Sequence, residues 1–165
     1  MCKVSIRKAQ RRAIASSSGR KTPDNSSDYF GHPWDEWFAM CDAGRDLILE
    51  SVRLKRFLPY PEFWSGIKTR LQRDIGDPWR QEPLLLEYIS DRTYEDLGLF
   101  ITAMVIDPET GHPSEGFFRL AAARGALPEQ EAPEMGVTWK QMTPKQKVFW
   151  EDQARKIFER VSGQI

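Results

Sequence analysis

The chain has 165 residues, 40% of them hydrophobic, with six tryptophans and nine phenylalanines, which suffices for one domain core plus an appendage. No apolar run approaches the ~18–20 residues of a membrane span, and two cysteines with two histidines at no ligand spacing suggest neither a zinc site nor a disulfide framework. The expectation is therefore a cytoplasmic protein with no membrane partner, no metal and no cofactor, and with no internal repeat.

Formal neutrality hides an uneven charge distribution. Residues 1–22 hold seven Lys or Arg and no acid, leaving 17 cations against 24 acids in the remainder, a net of −7. Within that remainder, residues 23–52 sum to −6, 53–80 to +4 and 81–165 to −5. The one basic band of the presumptive domain is thus 53–80, and any polyanion partner must meet it there.

Residues 1–28 are polar, Ser-rich and nearly free of large apolar side chains after Ile14, so they are read as a disordered basic tail. Residues 29–163 form the expected single compact, α-rich domain. Arg7, Lys8, Arg11 and Arg12 suit an arm that meets phosphates. A plain solvated tail and an Arg-rich, acid-free mitochondrial-type transit segment are the competing readings.

A first helix is predicted from Pro33 at N1, with Trp34, Trp37, Phe38, Cys41, Leu47, Ile48, Val52 and Leu54 inward, to about Phe57. After Pro59-Tyr60-Pro61, a second helix buries Phe63, Trp64, Ile67, Leu71 and Ile75 and stops at Gly76, with Lys68, Arg70 and Arg73 on its opposite face. A third helix is predicted from Pro83, with Leu84, Leu85, Tyr88 and Ile89 inward. Thr93 and Asp96 bracket a short capped turn after it.

Leu99 to Ile106 carries a single polar residue, Thr102, and shows neither period two nor period 3.6. It is read as a short strand buried on both faces, around which the helices gather. Asp107-Pro108-Glu109-Thr110-Gly111 is turn chemistry. Ser114 then caps a helix to Ala123 with Gly125 at C′, the alternative being a return strand over Phe117 to Leu120. Residues 127–136 form an acidic connector. The last helix has Thr143 as N-cap, Pro144 at N1 and Gln146 at N3, a capping box, followed by Trp150, Ala154, Ile157 and Val161 and closed by Gly163. The fold class is α+β, mainly α, with helix-turn-helix-like helices around one short buried strand or hairpin, a winged-helix-like arrangement included.

Two resemblances follow. Thr110 to Phe118, T-G-x-P-x-x-G-F-F, is similar to a type of uncharacterised small bacterial or phage-borne protein, which implies no particular chemistry. Trp139-Lys140, Met142-Thr143-Pro144, Lys147, Phe149, Ala154 and Arg160 resemble the latter half of an HMG box, which implies minor-groove binding. Residues 127–160 balance six acids with six bases and lack the positive surplus of such a box, so the match reads as convergence on a capped aromatic helix.

The leading functional reading is a small non-enzymatic binding protein that engages nucleic acid. Lys68, Arg70, Arg73, Arg80 and Gln81 of the helix-turn-helix-like region and Arg7, Lys8, Arg11 and Arg12 of the tail are its candidate contacts. Glu82 and Glu87 on the would-be groove helix, Arg80 to Ser90, count against base reading. The runner-up is a protein-interaction adaptor that exposes Trp79 in the Asp77-Pro78-Trp79-Arg80 turn. A small hydrolase using His112, Ser114, Glu109 and Glu115 is third, because neighbours on one turn rarely orient a nucleophile and its base.

Overall fold

The structure is a computed structural model, and it describes residues 28–29, 32–134 and 141–162. The chain divides into two compact units, 1–37 and 38–165, where the composition shift placed the boundary at residue 28. In the first unit, β1 (Asp28–Tyr29) pairs antiparallel with β2 (His32–Pro33), Asp28 opposite Pro33 and Tyr29 opposite His32. His32 Nδ1 lies 3.2 Å from the Glu36 carboxylate one helical turn on. Helix α1 (Trp34–Arg53) begins one residue after Pro33, which belongs to β2, and ends before the predicted Phe57.

The second unit is mainly helical with one small parallel sheet. It contains α1 from Phe38 onward, and its further helices are α2 (Tyr60–Leu71), α3 (Pro78–Leu97), α4 (Glu115–Ala123) and α5 (Pro144–Ser162). Strand β3 (Leu58–Pro59) pairs parallel with β4 (Val105–Ile106), Leu58 opposite Val105. The wing of a winged helix needs an antiparallel return strand. Here β4 lies against β3, and Phe117 to Leu120 is helical, so the hairpin alternative gives way to the helix.

The central apolar run is buried as expected, yet most of it is no strand. Ile101–Met104 is a 3-10 turn, and only Val105 and Ile106 are extended. A buried turn leaves backbone groups that no ladder satisfies, and each must find a partner or cost free energy. Side chains supply these partners. Phe100 N–H donates to Gln153 Oε1 at 3.0 Å, Ile101 N–H to Thr93 Oγ1 at 3.3 Å, and Trp150 Nε1–H to the Ala103 carbonyl at 2.8 Å. Thr93 in turn donates to the Ser90 carbonyl at 3.1 Å, and Ser90 and Thr102 share a buried hydroxyl contact. Thr93 is therefore no helix cap. It lies inside α3, which runs through to Leu97 and starts at Pro78 instead of Pro83.

Around this turn the rings close the core. Tyr94 stacks on Phe100 at 4.3 Å, and Phe117 meets Phe100 edge-on at 6.2 Å and Phe118 at 5.0 Å. Helices α1 and α2 cross closely at glycine: a Cβ at Gly44 would stand 3.0 Å from the Phe63 ring and from Ile89. The Arg124 guanidinium ties α4 to α3 through both oxygens of Asp91, at 2.9 and 2.5 Å. The N-terminus of α5 is the predicted capping box, with Gln146 N–H to Thr143 Oγ1 at 3.2 Å and Thr143 N–H to Gln146 Oε1 at 2.9 Å. Gln146 also donates to the Glu131 carbonyl at 2.6 Å, anchoring the acidic connector. Gly163 lies outside the described residues.

Candidate functional site

Six of the seven cations of 53–80, all but Arg80 of α3, lie at the C-terminal ends of α1 and α2, and local backbone chemistry explains why. A helix end leaves carbonyls unsatisfied, and a left-handed residue there lets its own N–H and the following one turn back onto them. In α1 the left-handed residue is Lys55 (φ 54°), with Lys55 N–H donating to the Val52 carbonyl at 2.9 Å and Arg56 N–H to the Ser51 carbonyl at 3.0 Å. Helix α2 ends at Gln72 (φ 52°) in the same way, with Gln72 N–H to Thr69 O at 3.3 Å and Arg73 N–H to Lys68 O at 3.4 Å. The second helix therefore stops a turn before the predicted Gly76, and Ile75 is buried beyond its end.

Each cap presents cations where the helix dipole is negative. Arg53, Lys55 and Arg56 are exposed at the first, Arg70 and Arg73 at the second. The two ends are joined, since the Arg70 guanidinium meets the Glu50 carboxylate, one turn before Arg53. Arg56 pairs with Glu62 at 2.7 Å and Lys68 with Asp74 at 3.1 Å. The Gly76 N–H and the Lys68 ammonium hold the Asp74 carboxyl below the usual carboxylate range.

Lys68, Arg70 and Arg73 do not share the single face expected of them. Residues two apart on a helix point about 200° apart, so Lys68 and Arg70 flank α2 on opposite sides, one toward Asp74 and the other toward Glu50 on α1. Arg73 follows the left-handed cap, beyond the helix. Gln81, expected to face a base, is buried with its amide nitrogen beside Gly76 in the α2–α3 turn. Trp79 and Arg80 occupy the second and third positions of α3, and their side chains lie outside the described part, as do Arg7, Lys8, Arg11 and Arg12.

The pattern that residue-by-residue reading missed is a repeat, Arg53-Leu54-Lys55-Arg56 and Arg70-Leu71-Gln72-Arg73, in which the third residue takes the left-handed conformation both times. Leu54, inside the first copy, is 63% exposed. Phe57, just beyond it, is half-buried against Trp150 (5.6 Å) and Phe158 (5.9 Å).

Of the hydrolase candidates, His112 is engaged beside its own turn and Ser114 through its backbone. His112 is buried, its Nδ1 2.9 Å from the Pro113 carbonyl and its ring edge-on to Trp150. Ser114 stands at the N-cap of α4, but its hydroxyl makes no cap bond there, and its N–H donates to the Tyr60 hydroxyl at 2.9 Å. Burial pushes the Tyr60 phenol up, and the Glu82 and Asp107 carboxylates add to that rise. Glu82 keeps one buried carboxylate oxygen without a hydrogen-bond partner, and burial raises its carboxyl from 4.5 to about 7. Burial likewise pushes the Cys41 thiol up, away from reactive thiolate. Among the described residues no group of three His, Cys, Asp or Glu side chains is placed to hold a metal ion, and no helix is long and apolar enough to cross a membrane. Comparisons with protein-family models, curated proteins and solved structures find no match to this chain.

Proposed function

We propose that this chain is a small non-enzymatic binding protein that engages nucleic acid through the cationic ends of α1 and α2. The observation that carries the reading is the charge balance there. At these helix ends stand six cations, Arg53, Lys55, Arg56, Lys68, Arg70 and Arg73, against three acids, Glu50, Glu62 and Asp74, and the Arg56–Glu62, Lys68–Asp74 and Arg70–Glu50 pairs are all solvent-exposed. Pairs this exposed to water contribute little, so a phosphate can displace the carboxylates at small cost. Counterion release then adds a driving force that an intramolecular pair lacks. The tail cations Arg7, Lys8, Arg11 and Arg12 are a second contact in this reading, and Arg80 extends the band. Gln81 has no part in it.

The test is a mobility shift with the full chain at ~50 and ~200 mM salt, where four phosphate contacts correspond to a loss of about 50- to 150-fold. Neutralising Lys55 and Arg70 to glutamine weakens the complex at low salt. Absence of a complex at ~50 mM, or indifference to those substitutions, rejects the reading.

A second reading, a protein-interaction adaptor, draws support from exposed Leu54 beside the half-buried Phe57, Trp150 and Phe158 rings. It is favoured if Leu54→Ser abolishes capture of a protein partner while binding to nucleic acid is absent in the unaltered chain.

A further inference from the structure

The two Arg-Leu-X-Arg caps coincide in more than sequence. Both close a helix with the same pair of backbone bonds, from the third residue to the carbonyl three before it and from the fourth to the carbonyl five before it. Both place a non-glycine residue in the left-handed region, a conformation that glycine adopts without steric cost and that other residues hold at a penalty. Both set an arginine in the last helical turn and a second one just past the cap. Arg70 is held beside Glu50, and Glu50 lies one turn from Arg53, so the two caps are neighbours.

Between the arginines of the first cap stands Leu54, among the most exposed large hydrophobic side chains of the described residues. Phe57 follows, its ring fixed by Trp150 and Phe158 instead of swinging free. Cations interleaved with an exposed leucine and a half-buried aromatic ring suit a strand whose bases are unstacked and available. A duplex hides those faces, and its grooves call for the flank of a helix, whereas these cations cluster at helix ends.

We propose that the paired caps form a two-point phosphate clamp for single-stranded nucleic acid, Arg53 and Arg56 taking one backbone phosphate, Arg70 and Arg73 another, with a base packed on Leu54 and Phe57. This rests on the nucleic-acid reading above and narrows it to a substrate class.

The experiment is fluorescence anisotropy of the full chain with a labelled thymidine oligonucleotide of about 12 nucleotides and with a duplex of the same length. Each double substitution, Arg53→Gln with Arg56→Gln and Arg70→Gln with Arg73→Gln, removes one phosphate contact, lowers single-strand affinity and flattens the salt dependence by about 0.7 log units per log unit of salt. Leu54→Ser weakens the single strand at least about fivefold and leaves the salt slope unchanged. All five side chains are exposed, and an unchanged circular dichroism melt accompanies each variant. A cap whose double substitution is silent overturns the clamp. Equal affinity for duplex and single strand, a silent Leu54→Ser, or equal competition by polyglutamate overturns the single-strand assignment while leaving charge-driven binding in place. Failure of both nucleic acids to bind at ~50 mM salt removes the underlying reading as well.

Discussion

Gln153 gives the sharpest test of how the centre of the fold is held. Its Oε1 accepts the Phe100 N–H at 3.0 Å from α5, 53 residues away, and both residues are buried. Gln153→Met keeps the length and nearly the volume of the side chain but removes the acceptor. The Phe100 N–H is then buried without a partner, because the 3-10 turn that follows offers it no ladder. Leaving a buried donor unsatisfied costs about 1–3 kcal/mol, which for a unit of this size is a fall of roughly 4–10 °C in melting temperature. Trp150→Phe orphans the Ala103 carbonyl on the same turn, so the double variant shows coupling that two independent sites lack. The assay is thermal and denaturant unfolding of the full chain. A Gln153→Met melt within a degree of the unaltered chain refutes the claim that side-chain bonds hold this turn.

Three further outcomes follow from the same structure. Because the folded state raises the Glu82 carboxyl from 4.5 to about 7, it binds the proton more tightly than the unfolded chain does, so stability present below pH 4.5 is lost as pH climbs through 7. With Glu82 partly exposed, the expected loss is about 1–2 kcal/mol, read from unfolding midpoints between pH 5 and 8, and Glu82→Gln flattens the profile. Gln72→Gly relieves a left-handed non-glycine C-cap and raises stability by about 1 kcal/mol, measured by urea unfolding; a loss would show that the amide side chain matters more than the backbone. Gln146→Ala removes the acceptor of the Thr143 N–H and the bond to the Glu131 carbonyl while the backbone N–H at 146 keeps its bond to Thr143 Oγ1, lowering stability by about 1–2 kcal/mol.

What the sequence made legible was local. The Thr143, Pro144 and Gln146 signature is complete within four residues, and the structure reproduces it bond for bond. Gly125 takes the expected positive φ after α4 for the same reason. The central run misled because burial on all sides looks alike for a strand and a turn, and its deciding partners, Gln153 and Trp150, lie some fifty residues downstream. The end at Gln72 was missed because Gly76 was taken as the stop signal, and the end at Lys55 because the apolar pattern was followed to Phe57, although a glutamine and a lysine hold the left-handed position here. At the candidate site each cation was visible, but their grouping was not. Lys68 and Arg70 part company around α2, while Arg70 reaches Glu50, one turn before Arg53, a contact between two helices that spacing along one helix cannot reveal.

The most direct measurement is the salt dependence of polyanion binding in the chain carrying Arg53→Gln, Arg56→Gln, Arg70→Gln and Arg73→Gln together. If those four guanidiniums meet two backbone phosphates, the slope of log affinity against log salt on a single strand falls by about 1.4 relative to the unaltered chain. An unchanged slope would place the nucleic-acid contacts elsewhere on the protein and contradict the assignment of the helix ends.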